Sequence, residues 1–144
     1  MSEPEKALGS VAFIGLGVMG FPMAGHLSRI AKSIKIYNRT KEVSGRWMEN
    51  YPGNGVLCDS PKNAATGADV VFMCVGNDDD VRSIAYGDDG VIAGLESEAL
   101  LVDHTTASAD LAVELHKACQ SREIGFLDAP VSGGQAGAEN GALT

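Results

Sequence analysis

The chain has 144 residues, 44% of them hydrophobic and 21% charged, a balance that suits one globular core and excludes a disordered chain. Nineteen acidic against 11 basic residues leave a net charge of −8, which repels nucleic acid and anionic membranes, and no basic cluster offsets it. No apolar run approaches the ~20 residues that cross a bilayer, and the opening Met1–Lys6 (MSEPEK) is polar and acidic rather than a signal sequence, so the composition points to a cytoplasmic protein with no nucleic-acid or membrane partner.

Residues 1–9 read as a tail and residues 10–144 as one domain. Val11-Ala12-Phe13-Ile14 is an apolar run short enough for a strand buried on both faces, and it breaks at Gly15-Leu16-Gly17-Val18-Met19-Gly20. That hexad is G-x-G-x-x-G, a dinucleotide-binding pattern. Gly15 permits a tight turn, Gly17 lets a diphosphate approach bare backbone, and Gly20 lets the next helix lie close to the strand. The free N–H groups and positive end of that helix attract the ligand's negative charge. Met19, Met23, Leu27 and Ile30 recur at three and four residues and predict a helix from about Val18 to Lys32, with Pro22 in its first turn. Ile34–Tyr37 alternates as a second strand, which makes a βαβ unit.

Asn38-Arg39-Thr40 closes that strand, where an acidic side chain would chelate the ribose hydroxyls of NAD. Here there is none at Asn38 and a cation follows. Arg39 can pair with a 2′-phosphate, and Thr40 can donate to it and also cap the next helix, which favours NADP over NAD. The plainer alternative keeps Arg39 as a solvated loop residue and Thr40 as a cap alone. Lys41–Asn50 reads as a helix carrying the only tryptophan, Trp47. Tyr51–Gly55 reads as a loop and Val56–Cys58 as a third strand. Ser60 caps, and Pro61 opens, a helix to about Thr66.

Asp69–Val75 is a buried fourth strand, and Gly76-Asn77 lies at its carboxyl end, where open α/β sheets place ligands. Asp78-Asp79-Asp80 reads as the acidic start of a helix to about Tyr86 rather than a metal site, since no His or Glu stands nearby at ligand spacing. Gly87–Gly94 reads as a turn-rich connection. Leu100–Asp103 is a fifth strand ending in His104-Thr105-Thr106. In a doubly wound sheet this end shares a rim with the glycine turn, which brings Thr106 to the nicotinamide half of the cofactor. His104 is open to two readings, a general base or a strand-end histidine held by hydrogen bonds.

Ser108 opens a helix with Leu111, Leu115, Ala118 and Cys119 on one side, and Ile124–Leu127 is a sixth strand. Asp128–Gly134 ends in a glycine-rich turn whose amides and Ser132 hydroxyl can hold a carboxylate. Spacing alone reads it equally as a plain connection. Leu143-Thr144 looks like the start of a further strand. Cys58, Cys74 and Cys119 are odd in number and show no C-x-x-C, so they read as small buried hydrophobes. His26 and His116 fall within helices as surface or packing residues.

Two stretches resemble one family. FIGLGVMGFPMA (Phe13–Ala24) is similar to the amino-terminal signature of the β-hydroxyacid dehydrogenases, and DAPVSGGQAGAENGALT (Asp128–Thr144) to their substrate-binding signature. The group includes 3-hydroxyisobutyrate dehydrogenases, tartronate semialdehyde reductases and glyoxylate/succinic semialdehyde reductases. The resemblance implies a Rossmann-type doubly wound parallel sheet ahead of an all-α domain that this chain does not reach. It further implies hydride transfer between NADP and a small β-hydroxyacid or semialdehyde, in a homo-oligomer at full length.

By the same resemblance Gly15, Leu16, Gly17, Val18, Met19 and Gly20 hold the diphosphate, and Asn38, Arg39 and Thr40 hold the ribose and its 2′-phosphate. Cys74, Val75 and Gly76 border the cofactor, Thr106 stands beside the nicotinamide, and Ser132, Gly133 and Gly134 bind the substrate carboxylate. The family usually has Asn where His26 stands. Its general acid/base lysine lies past residue 144, so the resemblance implies no catalytic residue in this stretch and poor turnover by it alone. The alternative is a non-catalytic nucleotide-binding or assembly module derived from such an enzyme.

Overall fold

The computed structural model describes residues 8–144, so all of the expected tail but Leu8 and Gly9 lies outside the described residues. The elements run β1 (Leu8–Ile14), α1 (Gly20–Ile30), β2 (Ala31–Tyr37), α2 (Lys41–Asn50), β3 (Gly55–Leu57), α3 (Pro61–Ala65) and β4 (Val70–Met73). They continue with α4 (Asp78–Ala85), α5 (Val91–Gly94), β5 (Leu100–Asp103), α6 (Ala109–Gln120), β6 (Gly125–Asp128) and α7 (Gly134–Glu139). The strands form one all-parallel sheet in the order β3-β2-β1-β4-β5-β6. This is the expected doubly wound arrangement, and it brings every strand's carboxyl end to one rim.

The apolar run in β1 is explained by its central place. Val11 and Phe13 pack with Ile34, Ile36, Ala24 and Trp47 on the face covered by α1 and α2. Ala12 and Ile14 pack with Val71, Met73, Leu101, Leu111 and Leu115 on the face covered by α3 to α6. In register, Phe13 stands opposite Ile36 on one neighbour and Phe72 on the other. Among the described residues no helix is long and apolar enough to cross a membrane.

Several expected boundaries move, each for a tertiary reason. The first helix ends at Ile30 rather than Lys32, because Ala31 turns extended and the Asn54 amide donates to the carbonyls of Ser28 (3.2 Å) and Ala31 (2.8 Å). Within the expected connection Gly87–Gly94, residues 91–94 form α5. The Arg122 guanidinium donates to the carbonyl of Ile92 and thereby holds that turn from another element. Leu143 and Thr144 lie outside the strands of the sheet. Ser132 and Thr144 instead exchange two backbone hydrogen bonds of 2.8 and 3.0 Å, closing a loop around α7, a helix the sequence did not signal.

Candidate functional site

The turn after β1 is built as its glycines demand. Gly15 has φ +100°, and a Cβ there would sit 2.2 Å from the Cys74 carbonyl oxygen. A Cβ on Gly20 would sit 2.0 Å from the Gly15 carbonyl, so α1 can start where it does only without one. Gly17 differs: nothing lies within 4 Å of its hypothetical Cβ, and the residue is exposed. Protein packing gives no reason for glycine there. Open space over bare backbone is the kind of place a diphosphate needs. The amino-terminal, positive end of α1 opens at the same turn, with no acidic side chain in its first turn.

A cleft of about 430 Å³ runs past this turn. Gly15, Gly17, Val18, Met19 and Gly20 form one wall, Asn38, Arg39 and Thr40 another, and Cys74, Val75 and Gly76 a third. Three segments far apart in sequence therefore meet at one place on the rim. Leu16 does not join them. It is buried, and its N–H donates to Asn38 Oδ1 at 2.9 Å, while the Asn38 amide donates to the Thr40 carbonyl at 3.1 Å. Asn38 thus ties the glycine turn to the loop after β2. Arg39 and Thr40 are exposed at the cleft, and the capping role considered for Thr40 is not taken up, since its side chain makes no bond to α2.

Behind the third wall lies a buried polar set. The Val75 N–H donates to Thr105 Oγ1 at 3.0 Å, and the Thr105 N–H donates to Asp103 Oδ1 at 3.0 Å. Burial raises the Asp103 carboxyl above the usual carboxylate range, opposed by the hydrogen bonds from Thr105. Burial, and then the nearby Asp103, pushes the Cys74 thiol up to about 11, so it stands at the cleft as a neutral, unreactive wall. His104 accepts the second of its two readings: its Nδ1 lies 2.7 Å from the Ala129 carbonyl and its ring stacks on Phe72. Thr106 is exposed on the loop after β5, outside the set that lines the cleft.

Ser132, Gly133 and Gly134 are exposed at the start of α7, and Gly133 (φ +127°) and Gly134 (φ +63°) both need glycine's backbone freedom. They do not line the cleft. A second cavity of about 570 Å³ lies between the first glycine turn and α7, lined by Leu16, Gly17 and Val18, by Val43, Arg46 and Asn50 of α2, and by Gln135 and Glu139 of α7.

A family model described as the NAD binding domain of 6-phosphogluconate dehydrogenase matches residues 10–144. The chain belongs to that family. An uncharacterized oxidoreductase of Shewanella frigidimarina is 57% identical over 95% of the chain and 46% of its own length. A Mycobacterium tuberculosis 3-hydroxyisobutyrate dehydrogenase solved with L-serine superposes with TM-score 0.84 at 31% identity, over 94% of this chain and 45% of that one. Psf3, solved with NADP+ and 2-OPP, gives TM-score 0.82 at 29% identity over 92% of this chain and 46% of its own. The chain thus spans about half the length of the relatives it matches.

In this NAD binding domain the cleft has a fourth wall that the sequence reading missed. Asp80, Ser83 and Ile84 reach it from one face of α4. Their three- and four-residue spacing was the available signal, masked by the acidic run in which it begins. Asn77 caps this helix, its Oδ1 accepting from the Asp80 N–H at 2.9 Å.

Proposed function

We propose that residues 10–144 are the NADP-binding domain of an oxidoreductase acting on a small β-hydroxyacid or semialdehyde. The observation that carries this reading is the convergence of the glycine turn, Asn38–Thr40 and Cys74–Gly76 on one cleft with vacant space over Gly17. When bound, the nicotinamide gives or takes the hydride. The chain's residues bind and orient. Gly17–Gly20 offer backbone N–H groups and a helix end to the diphosphate, while the N–H groups of Gly15 and Leu16 are spent on the Tyr37 carbonyl and Asn38, so that the turn keeps its shape. Arg39 and Thr40 take the 2′-phosphate, Cys74, Val75 and Gly76 border the cofactor, and Thr106 stands beside the nicotinamide. Ser132, Gly133 and Gly134 hold the substrate carboxylate.

The relative solved with NADP+ supports the choice of nucleotide, and the one solved with L-serine supports a small carboxylate substrate. A cytoplasmic location and a homo-oligomer at the relatives' full length rest on composition and family resemblance.

Calorimetric titration of the chain with NADPH and NADH, beside Arg39→Ala, tests the reading. NADPH is expected to bind more tightly, and Arg39→Ala to weaken NADPH about tenfold or more, the effect of losing a charge-assisted hydrogen bond worth ~1.5 kcal/mol or above. NADH should be little changed by the substitution. Equal affinities in the wild type overturn the 2′-phosphate assignment, and no binding of either nucleotide overturns the site.

A further inference from the structure

We infer that His26 is a positioning residue that couples the two glycine turns: through it the nucleotide helix α1 holds the Ser132–Gly134 turn in place. His26 lies in the second half of α1, whose first residue, Gly20, closes the Gly15–Gly20 turn. Its Nε2 is 2.9 Å from the Ala138 carbonyl oxygen and 3.1 Å from that of Glu139. Both partners can only accept, so Nε2 carries the proton.

These carbonyls belong to the last turn of α7, where a helix runs short of internal donors; that of Ala138 also accepts from the Gly141 N–H at 3.2 Å. A helix of six residues does not hold itself together in water. The imidazole also lies alongside Gly141, 3.6 to 3.9 Å from where a Cβ there would be, as the chain leaves α7 at φ +66°.

The other end of α7 is the turn itself, Ser132-Gly133-Gly134, and the Ser132–Thr144 backbone pair closes residues 132–144 into a loop. Among the described residues, the hydrogen bonds from this loop to the rest of the chain all run to His26. The imidazole reaches the α7 carbonyls from α1. The coupling part of this inference rests on nucleotide binding at the Gly15–Gly20 turn, while the clamp itself does not.

The test is amide hydrogen exchange on the 144-residue chain, with and without NADPH, in wild type, His26→Leu and His26→Gln. Leu keeps apolar volume without a donor, and Gln places an amide donor near the Nε2 position. The amides that report are those of Asn140, Gly141 and Ala142, which donate to carbonyls within α7. Without nucleotide, His26→Leu is expected to speed their exchange about tenfold or more, and His26→Gln to stay near wild type. With NADPH, exchange there should slow in wild type and His26→Gln but not in His26→Leu.

Unchanged exchange in His26→Leu overturns the clamp. NADPH binding that leaves these amides unchanged in wild type overturns the coupling. Failure of NADPH to bind wild type overturns the nucleotide reading and the coupling with it, and the exchange without nucleotide still judges the clamp. Should His26→Leu not fold, the ¹⁵N spectrum of the wild-type imidazole decides: a proton on Nε2 is required, and the Nδ1-protonated tautomer overturns the proposal.

Discussion

Gly15, Gly17 and Gly20 look alike in the sequence and have different duties in the structure. A side chain at Gly15 or Gly20 collides with backbone, whereas one at Gly17 meets nothing. Gly17→Ala is therefore expected to leave the melting transition within about 0.5 kcal/mol of wild type while weakening NADPH roughly tenfold or more. Gly20→Ala should cost ~1–3 kcal/mol of stability through overpacking. Paired denaturant melts and nucleotide titrations separate the two, and a Gly17→Ala chain that unfolds early would contradict the assignment. The G-x-G-x-x-G spacing made this turn legible, because all its constraints are local. Asn38 and Thr105 were not legible as scaffolding. Their partners, Leu16 and Val75, stand 22 and 30 residues away and become neighbours only once the sheet has formed.

Helices α4 and α6 are joined by a polar lock. The Ser108 N–H and hydroxyl donate to the Asp78 carboxylate, while Glu114 accepts from the Tyr86 hydroxyl at 2.8 Å and from Arg82 Nε at 3.3 Å. Hydrogen bonds from Ser108 hold the Asp78 carboxyl below its ordinary value, and those from Tyr86 and then Arg82 do the same for Glu114. A carboxyl whose pKa is depressed on folding adds stability above its unfolded value and loses it as pH falls through the folded one. Melting temperature should then decline as pH drops through and below ~4, with Glu114→Gln showing a shallower decline. A pH profile identical to wild type would contradict the lock.

The same Glu114 bond helps to push the Tyr86 hydroxyl up to about 12, after burial as the larger cause. Its contribution is present below the unfolded tyrosine value and fades as pH rises toward that figure. At this scale the helix starts at Ser60 and Ser108 were legible, since each side chain accepts from its own first turn, and that of α4 was legible from its acidic run, though its Asn77 cap was not. Helices α5 and α7 were not, because they are held from outside, by Arg122 and by His26.

For the molecule as a whole, the strand order and the two cores flanking β1 follow from short apolar runs separated by amphipathic helices, a pattern that admits few topologies. Ser132–Gly134 and Thr106, by contrast, are exposed rather than enclosed. The chain spans 46% of its Shewanella relative. On the reading proposed above, this domain binds the nucleotide. Saturating NADPH, at about a hundred times its dissociation constant, should raise stability by ~2.7 kcal/mol if only the folded state binds.

The central claim is that the diphosphate rests on the Gly15–Gly20 turn, and amide chemical-shift mapping of the chain with NADPH tests it most directly. Saturable shifts at Gly15–Gly20, together with Arg39–Thr40 and Cys74–Gly76, are the predicted result. Binding that leaves the Gly17 and Gly20 amides unmoved would contradict it.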